Sequence, residues 1–440
     1  MVSTLEKIEL YRHQKVALSY LRLNDSFALY MEQGTGKTIP VLLRIKELVS
    51  QNKAKNILIV APKATMGAWS RDLEKLGCPK ELSKITIINY DIVWRRKEYD
   101  QKWDIIVLDE AHFIKNHSSK RTKYLLKLSL NATYKYILTG TASGNGRFED
   151  LWSQFAFLFP VKGARSVESK HFGSYYKFLD RYCVLNKYYQ PYRYLHMDEV
   201  QAIVHKYSYR VTKDECLDLP AKLPDEIYEI ELKEVKLYKA LAVDKADVAR
   251  DLVPENPMHL MTLLREICSG FYTNNTNLYE IYHEKLEVLA EFLETFDKKL
   301  VIFANFKYSI RQIAHLLKEK EISFVILDGE TKDKSIWRKF QEDESIKVIV
   351  CQYQTASQGI DLFAADTILY YEPTLSSTLL EQSKDRIYRI GQTKPASYIH
   401  FITKGTVERS IYNALCKYMD FNVAIFEEEM QEYQKGYNYQ

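Results

Sequence analysis

The stretch Phe27-Ala28-Leu29-Tyr30-Met31-Glu32-Gln33-Gly34-Thr35-Gly36-Lys37-Thr38 decides how the chain is read. The apolar run Phe27–Met31 passes directly into a polar loop with two glycines, a lysine and a threonine. An amphipathic segment, Ile39–Ser50, follows. Strand, glycine loop and helix form the context in which backbone N–H groups wrap phosphates, with the helix N-terminus adding favourable dipole charge. In this reading Glu32, Gln33, Gly34, Thr35 and Gly36 line the loop. Lys37 reaches the β and γ phosphates of ATP, and Thr38 ligates Mg²⁺. Met31 stands where the general pattern has glycine. A chance Gly-x-Gly-Lys-Thr string would look the same in isolation, so the rest of the chain has to decide.

Downstream, the apolar run Ile105–Leu108 ends in Asp109-Glu110-Ala111-His112. A carboxylate at a strand end can hold Mg²⁺, and a second can orient the attacking water. Asp109 takes the first role and Glu110 the second. The plainer alternative is an acidic strand-to-helix turn with Asp109 as a cap. Near the other end lies Gln382-Ser383-Lys384-Asp385-Arg386-Ile387-Tyr388-Arg389-Ile390-Gly391-Gln392. Arg386 and Arg389, three apart, are expected on one face of a helix. Phosphoryl transfer needs cations aimed at the charge developing on the γ-phosphate. A solvated basic helix face is the competing reading.

Around these strings the chain alternates strands and helices. Phe27–Met31, Ile57–Val60, Ile105–Leu108 and Tyr136–Leu138 read as strands in the first half. Leu300–Phe303, Phe324–Leu327, Val348–Val350, Thr367–Tyr370 and Tyr398–Phe401 do so in the second. Helical stretches such as Gly67–Leu76 and Tyr308–Lys320 lie between them. Such alternation implies α/β architecture: two doubly wound parallel sheets in tandem. Between the halves the strand pattern fades and helical signals dominate. Leu219-Pro220 and Leu223-Pro224 break the chain there. The expected domains are 1–218, with a helical insertion at about 160–213, and 219–440, with a helical segment at about 225–296.

Composition narrows the class. The 440 residues allow about two to four domains. A 46% hydrophobic, 27% charged chain is that of a globular protein. No apolar run is long enough for a bilayer, and Glu6 and Glu9 interrupt the start, so a cytoplasmic protein without membrane contact is expected. The six cysteines contain no Cys-x-x-Cys pair, which argues against zinc or a disulfide framework. Apart from His112, the histidines lack partners at ligand spacing; His13 is expected to pack around Gln14. A net charge of +4 means that any nucleic acid must be held by a local groove.

Taken together, these strings resemble the Swi/Snf-related ATPases, the chromatin-remodeller-like branch of helicase superfamily 2. Asp109-Glu110-Ala111-His112-Phe113-Ile114-Lys115-Asn116 resembles their Walker B segment, and Asp385-Arg386 with Arg389-Ile390-Gly391-Gln392 their motif VI. Tyr11-Arg12-His13-Gln14 is similar to the Q-type motif, and Val60-Ala61-Pro62-Lys63 with Trp69 to motif Ia. Leu138-Thr139-Gly140-Thr141 is similar to motif III, and Ser357-Gln358-Gly359-Ile360-Asp361-Leu362 to motif V; Asn305 falls at motif IV. Ala142 replaces a usual proline, Ser357 and Gln358 a glycine-rich stretch, and Asp361 a common asparagine.

The resemblance implies two RecA-like domains with ATP and Mg²⁺ between them. It places Gln14 on adenine, Gly359 and Asp361 at the nucleotide, and Arg386 and Arg389 on the γ-phosphate. It implies movement along double-stranded DNA held through its backbone, independently of sequence and sensitive to salt. The contacts it suggests are Lys63, Thr65, Thr141, Asn305 and Thr355. It also leaves room for a basic, aromatic clamp at 161–213, which holds ten Lys or Arg, four Asp or Glu and nine Tyr. An ordinary helical insert with half-buried tyrosines fits that stretch equally well. The chain has no room for chromatin-reading domains, so a minimal motor is expected. A strand-separating DNA or RNA helicase, a motor subunit of a larger complex, and an ATP-switched clamp that does not travel remain open.

Overall fold

Strands buried on both faces need apolar residues at successive positions, and the continuous apolar runs of this chain form the central strands of two sheets. The computed structural model describes residues 9–63, 65–77, 84–140, 147–161, 167–186, 191–274, 277–356 and 360–437. Two compact units divide the chain, Met1–Asp218 and Leu219–Gln440.

In the first unit the strands are β1 (Ser26–Met31), β2 (Asn56–Ala61), β3 (Lys84–Asn89), β4 (Ile105–Asp109), β5 (Tyr134–Leu138), β6 (Cys183–Leu185), β7 (Pro191–Tyr194) and β8 (Ser208–Val211). Six form one parallel sheet in the order β3-β2-β4-β5-β1-β8. Phe27, Leu29, Ile57, Ile59, Val107 and Leu138 pack on one face, and Ala28, Tyr30, Leu58, Val60, Leu108 and Ile137 on the other. Asp109 is level with Leu138, which is level with Leu29 on β1. The phosphate loop and the acidic pair therefore leave the same end of the sheet, two strands apart. Ligands bind at that end in open parallel sheets.

The second unit repeats the plan with β9 (Glu226–Ile230), β10 (Phe271–Asn274), β11 (Asn277–Glu280), β12 (Leu300–Ala304), β13 (Phe324–Leu327), β14 (Val348–Gln352), β15 (Thr367–Tyr370) and β16 (Ser397–Thr403). Its parallel sheet runs β13-β14-β12-β15-β16-β9. Each unit is thus a doubly wound α/β domain of RecA-like form.

Two intervals carry the expected helices, such as Met197–Lys206 and Pro257–Cys268, and short strands besides. The stretch 160–213 contains the antiparallel hairpin β6-β7 and ends in β8, an edge strand of the main sheet. The stretch 225–296 opens with the edge strand β9 and includes the hairpin β10-β11. Edge strands face solvent along one side and tolerate polar residues, so Ser-Tyr-Arg-Val and Glu-Ile-Tyr-Glu-Ile lack the apolar run of a central strand.

Candidate active site

The loop after β1 is braced by the helix Arg12–Leu23 that precedes it. Gln14 accepts the Tyr11 N–H through Oε1 (3.1 Å) and donates through Nε2 to the Gly36 carbonyl (3.1 Å). His13 Nε2 lies 2.8 Å from the Thr35 carbonyl oxygen. Gly36 has a φ of 73°, and a Cβ there would lie 2.4 Å from Gln14 Nε2, so only glycine fits. Gln14, expected at adenine, has its amide engaged at both ends by the loop and the helix start. Glu32 is drawn the other way: its carboxylate accepts the Lys213 N–H (2.8 Å), fastening the loop to the chain just after β8. The helix Thr38–Ser50 then begins, with Lys37 at its cap position and Pro40 in its first turn, where no N–H is needed.

Lys37 crosses the mouth of the sheet. Its Nζ donates to Glu110 Oε1 at 3.2 Å, and both side chains are about nine-tenths buried. Glu110 holds a left-handed backbone, φ 52° and ψ 56°, which turns the chain sharply out of β4. His112 Nδ1 lies 3.4 Å from Glu110 Oε2 and 3.4 Å from Thr139 Oγ1. Burial opposes ionisation of Glu110, but the Lys37 ammonium and the His112 ring outweigh it and bring the carboxyl down to about 2. Asp109 moves the other way. Burial and the Glu110 charge raise its carboxyl, offset in part by Lys37 and by donors from Trp69 and Thr65.

A buried carboxylate raised by burial and a like charge favours a cation beside it, and Asp109 is in that position. Among the described residues no group of three or more His, Cys, Asp or Glu could hold a metal ion alone. By chemistry, a carboxylate such as Asp109 and a hydroxyl such as Thr38 are donors that suit Mg²⁺, which takes one or two protein ligands and completes its shell with phosphates and water. The glycine loop, Lys37 and the carboxylate pair likewise fit a triphosphate.

In the second unit, the helix expected to carry both arginines ends at Lys384. The ladder breaks just past it: the Gln382 carbonyl accepts Arg386 Nε (2.7 Å), and the N–H groups of Arg386 and Ile387 turn to the carbonyls three residues back, Ser383 (3.1 Å) and Lys384 (3.3 Å). Arg386 and Arg389 therefore sit in turns beyond the helix and differ in environment. Arg386 is buried and donates to the carbonyls of Gln382 (2.7 Å) and Ile360 (3.1 Å). Arg389 remains a quarter exposed and pairs with Asp361. The structure thus brings Asp361 and Arg389 together, and gives Arg386 the contacts of a brace.

The nucleic-acid candidates are placed as follows. Lys63 is exposed in the turn after β2. Thr65 is half-buried and donates to Asp109 Oδ2 (3.2 Å). Asn305 is also engaged, its N–H on Glu372 (2.7 Å) and its Nδ2 on the Pro373 carbonyl (2.8 Å). Thr355 lies half-buried on the short helix Tyr353–Ala356. Thr141 and Gly359 lie outside the described residues. In the clamp stretch, Tyr182 is buried and Tyr175 stacks on His117 at 3.6 Å, while Tyr176 and Tyr192 are 75% and 65% exposed.

Two contacts on Asp109 escape a reading of the sequence. Trp69 Nε1 donates to Oδ2 at 2.9 Å, and the Tyr90 hydroxyl donates to the Asp109 carbonyl at 2.7 Å. Trp69 is visible as part of a motif, but its acceptor is not. Tyr90, just past β3, carries no sequence signal.

Two family models match the chain in sequence order. The family model of the SNF2-related domain matches residues 78–272, and that of the helicase conserved C-terminal domain matches 284–391. An uncharacterized ATP-dependent helicase of Mycoplasma genitalium is 27% identical, over 91% of this chain and 41% of its own length. A SWI/SNF-related matrix-associated actin-dependent regulator of chromatin subfamily A-like protein 1 of Xenopus laevis is 27% identical, over 86% of this chain and 40% of its own. The chain thus spans about two fifths of the length of these relatives. The solved Sulfolobus solfataricus SWI2/SNF2 ATPase core in complex with dsDNA aligns over 96% of this chain and 93% of that one, with 23% identity and a TM-score of 0.45. Among the described residues no helix is long and apolar enough to cross a membrane. With paired domain matches in sequence order over two parallel sheets, the chain belongs to the SWI/SNF-related family of helicase-like ATPases in superfamily 2.

Proposed function

We propose that this chain hydrolyses ATP with Mg²⁺ and uses the cycle to move along double-stranded DNA. The observation that carries the reading is the convergence of Lys37, Asp109 and Glu110 behind a glycine loop at one end of the first sheet. Lys37 leaves Glu110 to meet the β and γ phosphates, with the loop N–H groups and Thr38 beside it. Asp109 and Thr38 hold the metal ion, which when bound neutralises charge on the phosphate oxygens. Glu110, released by Lys37, orients and deprotonates the attacking water. Arg389 supplies a cation to the charge that develops on the γ-phosphate.

Glu110→Gln should retain ATP and Mg²⁺ binding and lose at least ~100-fold in turnover, because an amide cannot take the proton while Asp109 stays in place. Equilibrium binding of a fluorescent ATP analogue beside single-turnover hydrolysis separates the two effects. Loss of nucleotide binding would make Glu110 a structural residue instead.

The DNA part of the reading is supported by the family and by the exposed Lys63 in the turn after β2. Contacts to phosphates release counterions, so ATPase activity should rise with duplex DNA and fall steeply with added salt. Displacement of a third strand from a triplex tests movement. Stimulation without displacement would leave an ATP-switched clamp, and equal stimulation by RNA would favour a strand-separating helicase.

A further inference from the structure

Asp109 is held from a side that hydrolysis itself does not use. Its Oδ2 accepts both the Trp69 indole N–H (2.9 Å) and the Thr65 hydroxyl (3.2 Å), so both bonds fall on one oxygen and Oδ1 takes neither. Trp69 is only 1% exposed, and a buried indole N–H requires an acceptor. Here that acceptor is the carboxylate assigned to the metal.

Thr65 closes the turn after β2, with its N–H (3.0 Å) and its hydroxyl (3.1 Å) both directed at the Pro62 carbonyl. Its own carbonyl accepts the N–H groups of Ala68 (3.0 Å) and Trp69 (3.2 Å), which start the helix Met66–Lys75. Displacing the turn must therefore displace Thr65 and Trp69 together. The same turn presents Lys63 to solvent. The segment proposed to meet the DNA backbone and the carboxylate proposed to hold Mg²⁺ are thus joined by two direct hydrogen bonds.

We propose that Trp69 and Thr65 are positioning residues that orient Asp109 and carry the state of the Pro62–Thr65 turn to it, so that DNA engagement is sensed at the metal carboxylate. The transmission rests on the duplex-DNA reading above; the orientation of Asp109 does not. Groups that orient a metal ligand through hydrogen bonds commonly change metal affinity or activity by 10–100-fold when removed. Buried networks of this kind also have few alternative arrangements.

The test uses the full chain and two substitutions that each remove one donor, Thr65→Val at nearly constant shape and Trp69→Phe with loss of part of the ring system. Trp69→Phe should raise the Mg²⁺ concentration that half-saturates binding of a fluorescent ATP analogue by about 10-fold, with metal-free affinity changed by no more than about twofold. Thr65→Val should lose most of the stimulation by duplex DNA, and Thr65→Ser should retain it. In wild-type protein labelled with ¹⁵N at the five tryptophan indoles, the resonance that disappears in Trp69→Phe should move when duplex DNA is added. An unchanged Mg²⁺ requirement in Trp69→Phe would overturn the positioning of Asp109. An indole resonance that stays still while fluorescence anisotropy reports bound DNA would overturn the transmission. If the wild-type chain binds no duplex DNA, the duplex reading and the transmission fall together, while the Mg²⁺ titration still decides the role of Trp69. If Trp69→Phe does not fold, the Thr65 pair carries the decision: wild-type stimulation by duplex DNA in Thr65→Val would overturn the transmission, and a wild-type Mg²⁺ requirement in Thr65→Val would overturn the positioning of Asp109.

Discussion

Lys37→Ala is expected to reduce ATP hydrolysis to background while leaving duplex-DNA binding in place, since the ammonium is buried against the Glu110 carboxylate and serves phosphate. The structure adds a second expectation. Without nucleotide, Lys37 is the charge partner of a buried carboxylate, and removing one member of such a pair costs about 3–5 kcal/mol. Lys37→Ala should therefore melt at a lower temperature than wild type when nucleotide-free. Lys37→Ala/Glu110→Gln should recover part of that loss, because the unpaired Glu110 charge, which also repels Asp109, is then gone. The pH dependence has a definite sign. Glu110 lies below its ordinary value of 4.5, at about 2, so the pair's contribution is present above about pH 4.5 and is lost as the pH falls towards 2. The melting difference between wild type and Lys37→Ala should shrink over that window. Normal turnover in Lys37→Ala would remove the phosphate-loop assignment altogether.

Arg389→Ala should lower turnover by ~10³-fold or more, the scale of an arginine that stabilises a phosphoryl-transfer transition state. Its pairing with Asp361 is partly exposed, and an exposed pair contributes little to folding, so melting should barely change. ATP affinity should also change less than turnover, because the effect falls on the transition state. Arg386 offers the contrast. It is buried and donates to the carbonyls of Gln382 and Ile360, so Arg386→Ala removes two buried hydrogen bonds and should destabilise the second unit as well as slow hydrolysis. Arg386→Ala and Arg389→Ala proteins that match in both melting and turnover would erase this division of labour. Wild-type turnover in Arg389→Ala would return the motif to a solvated basic surface.

How far the sequence could be read depended on burial. The strands seen in it, such as Ile57–Val60 and Val348–Val350, are covered on both faces and spell themselves as apolar runs. Of the edge strands, β3, β8 and β9 carry Lys84, Arg210 or Glu226 at little cost and have no such run, whereas β13 is apolar throughout and was legible despite its place at an edge. The phosphate loop and Asp109-Glu110 were legible because their chemistry fixes residue types over a few consecutive positions. Hydrogen bonds between distant segments were not. Nothing in the spelling of Thr65 or Trp69 points to Asp109, and nothing in Glu32 points to Lys213. The helix expected through Arg389 stops early because a side chain competes for its ladder: Arg386 Nε takes the Gln382 carbonyl that the Arg386 N–H would need.

The two outer strands also set a timetable for folding. β1 is flanked by β8, and the loop that leaves β1 waits for Lys213, 181 residues later, to anchor Glu32. In the second unit the opening strand β9, among the described residues, pairs in the sheet with β16 alone, near the end of the chain. Contacts so distant in sequence form late, and until they form a neighbouring strand shows bare N–H and C=O groups. During synthesis, translation must pass Thr403 before the second sheet can close, and a nascent chain stalled short of that point would display an open β15 edge on which further chains can add.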